Sequence, residues 1–245
     1  MEKQIELCDL SIKLNDRELY NHINLTINEG DRFIFLGPNG IGKTLLLETI
    51  FYGYTKDLAE KYNGLSISGE IKNSKGESLL DPDIRRQISY VSQDDEFYSG
   101  FTVKGVCESA CTGVEIELDE DKLDYFLKKF GIYEKKNLRI KNNVSFGEGK
   151  IVHIISKLLK LQASSILFLD EPLNHLSFKN SMIFNEILLD EIKKNPKLSI
   201  IMVSHCRAMS FTEKALVYDV KNKDIIIRPY KSYDCFSKDD YADFF

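Results

Sequence analysis

At 245 residues the chain is long enough for one large domain, or a core with a subdomain, that buries its own apolar centre. With 43% hydrophobic and 29% charged residues it is neither a disordered chain nor a collagen. Its five cysteines (Cys8, Cys107, Cys111, Cys206 and Cys235), odd in number and without zinc spacing, read as free thiols rather than a disulfide framework. A net charge of −5 argues against a nucleic-acid partner and against a polybasic membrane-surface protein, while leaving room for a local basic patch.

Met1 to Asp9 alternates charged and apolar residues, so no signal peptide is expected. Ile5 to Leu14 and His22 to Ile27 alternate apolar and polar residues, which predicts two half-buried strands. Phe33 to Leu36 is a continuous apolar run stopped by Gly37-Pro38-Asn39-Gly40, a buried strand entering a tight loop. A helix with Leu45, Leu46, Thr49 and Ile50 on its inner side should follow. Leu65 to Ile71 and Gln87 to Val91 are further strand candidates.

Asp94 to Asn143 differs in texture. Its charge clusters and the spacing of Leu123, Phe126, Leu127 and Phe130 predict a helical insert, in which Asp119 to Asp121 starts a helix and Cys107 and Cys111 are buried small apolar residues. Gly147 to Gln162 carries apolar residues at a 3.6-residue period and predicts another helix. The most apolar stretch, Ile151 to Phe168, is broken by His153, Lys157, Lys160 and Gln162, so no membrane span is expected. Ser165 to Leu169 reads as a buried strand ending at Asp170-Glu171-Pro172, followed by a helix from about Lys179 to Lys194. Leu198 to Val203 is a second such strand, ending at Ser204-His205, and two edge-like strands, Ala215 to Val220 and Asp224 to Pro229, close the fold. Strands alternating with helices argue for an α/β protein. The tail from Lys231 to Phe245 mixes acids with aromatic residues and either docks on the core, docks on a partner, or frays.

The chemistry gathers at the strand ends. Gly37-Pro38-Asn39-Gly40-Ile41-Gly42-Lys43-Thr44 matches G-x-x-x-x-G-K-[ST] between a strand and a helix. In a chain of this composition the pattern arises by chance about once in a hundred. Its glycines let the backbone N–H groups wrap inward and a helix N-terminus adds partial positive charge, so the loop can cradle a polyphosphate. Lys43 can reach the outer phosphates and Thr44 can ligate Mg²⁺. Asp170 can hold Mg²⁺ and Glu171 can polarise an attacking water; alone the pair would read as a helix start, but the phosphate loop upstream favours the functional reading. His205 ends another buried strand, where a parallel sheet places its ligand crevice, and reads as a γ-phosphate contact. His22 and His153 read as structural, and His175 as an interface residue.

These residues carry a resemblance. The chain resembles the nucleotide-binding cassette of ABC ATPases over nearly its whole length. Residues 37–44, with Leu45 behind them, match the Walker A loop, and residues 165–172 the Walker B strand. Gln93 matches the glutamine loop, residues 173–176 the D-loop, and His205 the switch histidine. Val144-Ser145-Phe146-Gly147-Glu148 stands where the family has its L-S-G-G-Q signature. The resemblance implies a P-loop NTPase core with a parallel central sheet and an antiparallel β subdomain (residues 1–93 and 145–245), together with a helical subdomain (94–144), in one domain spanning 1–245. It implies ATP and Mg²⁺ as ligands, with Thr44, Gln93 and Asp170 around the metal and Glu171, His205 and Gln93 as the catalytic set. Head-to-tail pairing with a second cassette is also implied, so that Ser145, Gly147 and Glu148 meet the partner's nucleotide.

Three departures stand out. Phe146 replaces the first signature glycine and Glu148 its glutamine, for which a working but slower half-site is expected. Leu14 stands near the family's adenine-stacking aromatic, and Tyr20 either substitutes for it or packs its strand. Ser177 stands where a D-loop aspartate is common. The leading functional expectation is an ATP-hydrolysing subunit of a transporter, cytoplasmic and peripheral at the inner face of the cell membrane. It would dock on a separately encoded transmembrane permease through the helical insert, with Phe97 to Phe101 as first contacts. The alternatives are a soluble, translation-factor-like ATPase and a non-hydrolysing ATP-binding module supported only by Phe146.

Overall fold

The computed structural model describes residues 2–53, 55–77, 88–93, 100–204, 211–212 and 214–230. His205, the tail 231–245 and residues 94–99 of the expected docking segment lie outside the described residues.

Strands β1 (Lys3–Leu14) and β2 (Arg17–Asn28) form a hairpin across the two-residue turn Asn15-Asp16. Ile5, Leu7, Leu10 and Ile12 are all buried although their spacing breaks the period of two, because a register shift between Leu7 and Leu10 returns them to one face. β3 (Arg32–Leu36) follows, and β4 (Leu65–Asn73) pairs with β1 to complete a three-stranded antiparallel sheet, ordered β2-β1-β4. The second sheet has six strands, ordered β5-β6-β7-β3-β8-β9. It adds β5 (Ile88–Val91), β6 (Ile166–Asp170), β7 (Ser199–Val203), β8 (Lys214–Asp219) and β9 (Asp224–Pro229) to β3. Its pairings are parallel except β8 with β9. β8 is therefore not the edge strand expected from the sequence. It lies between β3 and β9 with its four central residues buried, and of the two closing strands β9 is the one at the edge.

Among the described residues the helices of six or more residues are α1 (Lys43–Tyr52), α2 (Lys56–Lys61), α3 (Val103–Thr112), α4 (Glu120–Phe130), α5 (Phe146–Leu159) and α6 (Phe178–Lys194). All but α1 have side-chain caps that fix where they start, those of α3, α4 and α6 being single acceptors. Thr102 accepts from the Gly105 N–H, Asp119 from the Lys122 N–H, and Ser177 from the Asn180 N–H. In α4, Leu123, Phe126, Leu127 and Phe130 are buried as one stripe, as their spacing predicts. Cys107 and Cys111 lie buried in α3 as free thiols.

The short central strands are apolar throughout because both sheet faces are covered. Ile34 and Leu36 of β3 face a core shared with α3, α4, α5 and α6. Phe33 and Phe35 face a second core built with α1 and the antiparallel sheet. Parallel strands bring their carboxyl ends to one edge, so β3 and β6 deliver residues 37–44 and 170–171 to the same place. Among the described residues no helix is long and apolar enough to cross a membrane.

Candidate nucleotide-binding site

Residues 37–44 leave β3 and enter α1 as a tight loop. Gly42 caps α1 at φ 92°, in the left-handed region, and a Cβ there would come within 3.1 Å of Leu19 Cδ1, so a side chain is opposed by both strain and crowding. Ile41 is buried and contributes its backbone to the loop. Lys43, 9% exposed, folds over its own loop and donates to the carbonyls of Gly37 (2.9 Å) and Pro38 (2.8 Å). Burial lowers the pKa of its ammonium, and the nearby Glu171 and Asp170 carboxylates counter that.

Asp170 ends β6 fully buried. Burial pushes its carboxyl up to about 6; a hydrogen bond with Thr44 opposes the rise, and the charges of Glu171 and Glu48 add to it. The Tyr90 hydroxyl lies 3.5 Å from Asp170 Oδ2, while Oδ1 is buried without a hydrogen-bond partner among the described residues. An open carboxylate oxygen beside a threonine hydroxyl is a hard-oxygen donor set, which fits Mg²⁺. Glu171 follows at φ 46°, a left-handed conformation that costs a non-glycine residue about 1 kcal/mol or more and tends to be retained where function needs it. Its N–H donates to the Val203 carbonyl at 2.9 Å, which fixes the residue across the ends of two strands. A cleft of about 430 Å³ is lined by Asn39, Lys43, Thr44 and Leu45 of the loop and helix, by Gln93, by Glu171 and by Leu14, Arg17 and Tyr62. That size is ordinary for a small-molecule site.

The signature-like residues form a second cluster and do not line this cleft. Ser145 caps α5 in a reciprocal box. Its hydroxyl accepts from the Glu148 N–H (3.3 Å), and the Glu148 carboxylate accepts from the Ser145 N–H (2.8 Å) and from the Lys135 ammonium (2.7 Å). Phe146 is 53% exposed, with its ring edge-on to His175 at 4.7 Å between centroids. A Cβ on Gly147 would sit 3.0 Å from the His175 carbonyl, so the glycine permits close packing of α5 on residues 173–176.

Of the two readings of Tyr20, packing is the one realised. It is fully buried and meets Tyr218 edge-on at 5.3 Å, offering no face to a ligand. Three cleft-related residues went unmarked in the sequence. Arg17 and Tyr62 line the cleft, and fully buried Lys150 of α5 donates to the carbonyls of Ser92 (2.9 Å) and Gln93 (3.4 Å), tying that helix to the glutamine loop. A lysine among buried positions of α5 was the one available signal.

A glycine-rich loop between a parallel strand and a helix, with carboxylates ending the second strand away, defines a nucleotide-binding chain of the P-loop NTPase class. The chain belongs to the ABC transporter family, whose sequence profile matches residues 20–174. A probable metal transport system ATP-binding protein of Thermotoga maritima is 30% identical over 213 residues, covering 86% of this chain and 78% of that protein. The solved structure of an ATP binding subunit of an ABC transporter superposes with a TM-score of 0.74 at 16% identity, over 98% of this chain and 94% of its own, which shows the fold. cbiO1 from Clostridium perfringens, part of the ABC transporter complex cbiONQ, superposes with a TM-score of 0.68 at 25% identity, over 98% and 92%.

Proposed function

We propose that this chain hydrolyses ATP to drive transport through a separately encoded transmembrane permease. In this reading it works as one of two paired cassettes at the cytoplasmic face of the membrane. The observation that carries the reading is the meeting of Lys43 and Thr44 with Asp170 and Glu171 at one edge of the sheet.

The loop N–H groups and the start of α1 bind the triphosphate, and Lys43 exchanges its two carbonyl partners for phosphate oxygens. Thr44, Asp170 and Gln93 would hold Mg²⁺, which when bound neutralises charge on the phosphate oxygens. Glu171 orients a water and takes up its proton as the water oxygen bonds to the γ-phosphorus. The bond from that phosphorus to the β-bridging oxygen breaks, leaving ADP and phosphate. His205 is proposed to contact the γ-phosphate. The likeness to the Thermotoga protein, a probable metal transport system ATP-binding protein, and to cbiO1, part of an ABC transporter complex, supports the permease reading over a soluble one.

The test is nucleotide titration and phosphate release with Lys43→Ala. ATP binding should fall at least tenfold, about 1.4 kcal/mol, while the circular dichroism of the fold is retained. Unchanged ATP affinity in that variant would overturn the assignment of the loop.

A further inference from the structure

The cleft has no aromatic residue at position 14 for a base to stack on, and Tyr20 is turned into the core. What stands there instead is built from two strands and a turn. Leu14 and Arg17 face each other across the Asn15-Asp16 turn, and cross-strand partners project from one face, so an apolar side chain and a guanidinium lie side by side. Leu14 also pairs with Leu65, whose N–H donates to the Tyr62 carbonyl at 3.0 Å, and the Asn15 N–H donates to the Gly64 carbonyl at 2.9 Å. The hairpin tip is thus tied to the turn that follows α2. The Tyr62 hydroxyl donates to the Glu48 carboxylate at 2.7 Å, and Glu48 is buried on α1 one turn beyond Thr44. The ring is therefore fixed by the same helix that leaves the phosphate loop. Arg17 is exposed and makes no hydrogen bond or ion pair among the described residues.

We infer that Arg17 and Tyr62 hold the base of the nucleotide, with Leu14 as the apolar floor between them, and that they grip a purine without selecting adenine. The inference rests on the nucleotide-binding reading above. With the triphosphate in the loop, the hairpin tip and Tyr62 are part of the remaining lining of the cleft, which Gln93, Glu171, Asn174 and Val203 complete. A tyrosine ring offers a face that any base can stack on. A guanidinium has N–H donors and no acceptor, so it pairs with base acceptors. Guanine presents O6 and N7 together to such a fork, whereas adenine presents N7 beside an amino donor. GTP is therefore held at least as well as ATP.

The experiment measures dissociation constants of the full chain with Mg²⁺ for ATP, GTP and inorganic tripolyphosphate, which has no base. Wild type should bind ATP and GTP within about threefold of each other, or GTP more tightly. In Arg17→Ala and Tyr62→Leu, the affinity for either nucleotide relative to that for tripolyphosphate should fall about tenfold. If Tyr62→Leu fails to fold for want of its Glu48 contact, Arg17→Ala at the exposed tip carries the test. An unchanged ratio in Arg17→Ala, or a wild-type preference for ATP above about tenfold, overturns this inference alone. No nucleotide binding by wild type overturns the nucleotide reading itself and this inference with it.

Discussion

His153 lies on α5 only 8% exposed, and neither ring nitrogen has a hydrogen-bond partner among the described residues. Burial, helped by the charges of Lys157 and Lys150, lowers its pKa from the usual 6.5 to about 3. The folded chain therefore keeps this imidazole neutral at pH values where the unfolded chain protonates it. The unfolded state binds more protons between about 6.5 and 3, so the contribution of this group to stability is complete above 6.5 and is lost progressively as pH falls through that window. The loss should reach a few kcal/mol at its lower end. His153→Leu, of similar volume and without a titrating group, should flatten the wild-type fall in Tm between pH 7 and 4.5, measured by circular dichroism. Parallel Tm profiles for the two proteins would mean that the ring is not held neutral. Lys43 shows the opposite use of burial, since its ammonium is kept among carbonyls that phosphate oxygens can replace.

The start of α5 is set by chemistry that can be tested without touching the cleft. Ser145→Ala removes the hydroxyl half of its capping box and should lower stability by about 1 kcal/mol, read as a lower urea midpoint with an unchanged slope. An unchanged midpoint would mean that the Glu148 pair with Lys135 and the packing of Gly147 hold the helix start unaided. This helix was legible in the sequence because its apolar residues repeat at 3.6, and β3, β6 and β7 were legible because continuous apolar runs ended in Gly37, Asp170 and Ser204. α2 was not legible, because six residues, Lys56 to Lys61, are too few to show a period, and Tyr62 and its place in the cleft went with it. β8 was misjudged as an edge because strand order is a nonlocal property. Its flanking polar turn is what an edge strand also shows, while β3 and β9 pair with it on either side and the two cores cover its faces. Tyr20 stood close enough to the expected base contact to leave two readings, and a register shift in β2 between Tyr20 and Ile23, which turns it inward out of the alternation of Ile23, Leu25 and Ile27, decided between them. The place of residues 37–44, Asp170 and Glu171 at the strand ends was the most readable part, since it follows from residue type at fixed spacing rather than from distant packing.

At the scale of the whole molecule the two clusters of site residues lie apart. The cleft is lined by Lys43 and Thr44 of the phosphate loop and by Glu171, while Ser145, Phe146 and Gly147 lie at a helix start that does not line it. A helix N-terminus presents unsatisfied N–H groups that favour an anion, so two copies placed head to tail would let each helix start meet the other's γ-phosphate. Phe146, exposed at that helix start, would then be covered. Hydrolysis releases the phosphate that such a pair shares, so blocking it should trap the closed state. Glu171→Gln keeps the size of the side chain and removes the charge that accepts the proton. Turnover should fall by about 10²–10⁴-fold while ATP binding persists. With Mg-ATP this variant should elute from gel filtration at twice the mass it shows without nucleotide. Asp170→Asn should lose dimer formation as well as turnover, because it removes the negative charge of the buried carboxylate proposed to hold the cation. Glu171→Gln turning over like wild type would overturn the base assignment. A Glu171→Gln protein that stops hydrolysing but stays monomeric would locate the fault at Phe146, whose ring stands 53% exposed where a glycine would let a nucleotide approach. The double variant with Phe146→Gly should then dimerise with Mg-ATP, and failure to do so would overturn the paired-cassette reading.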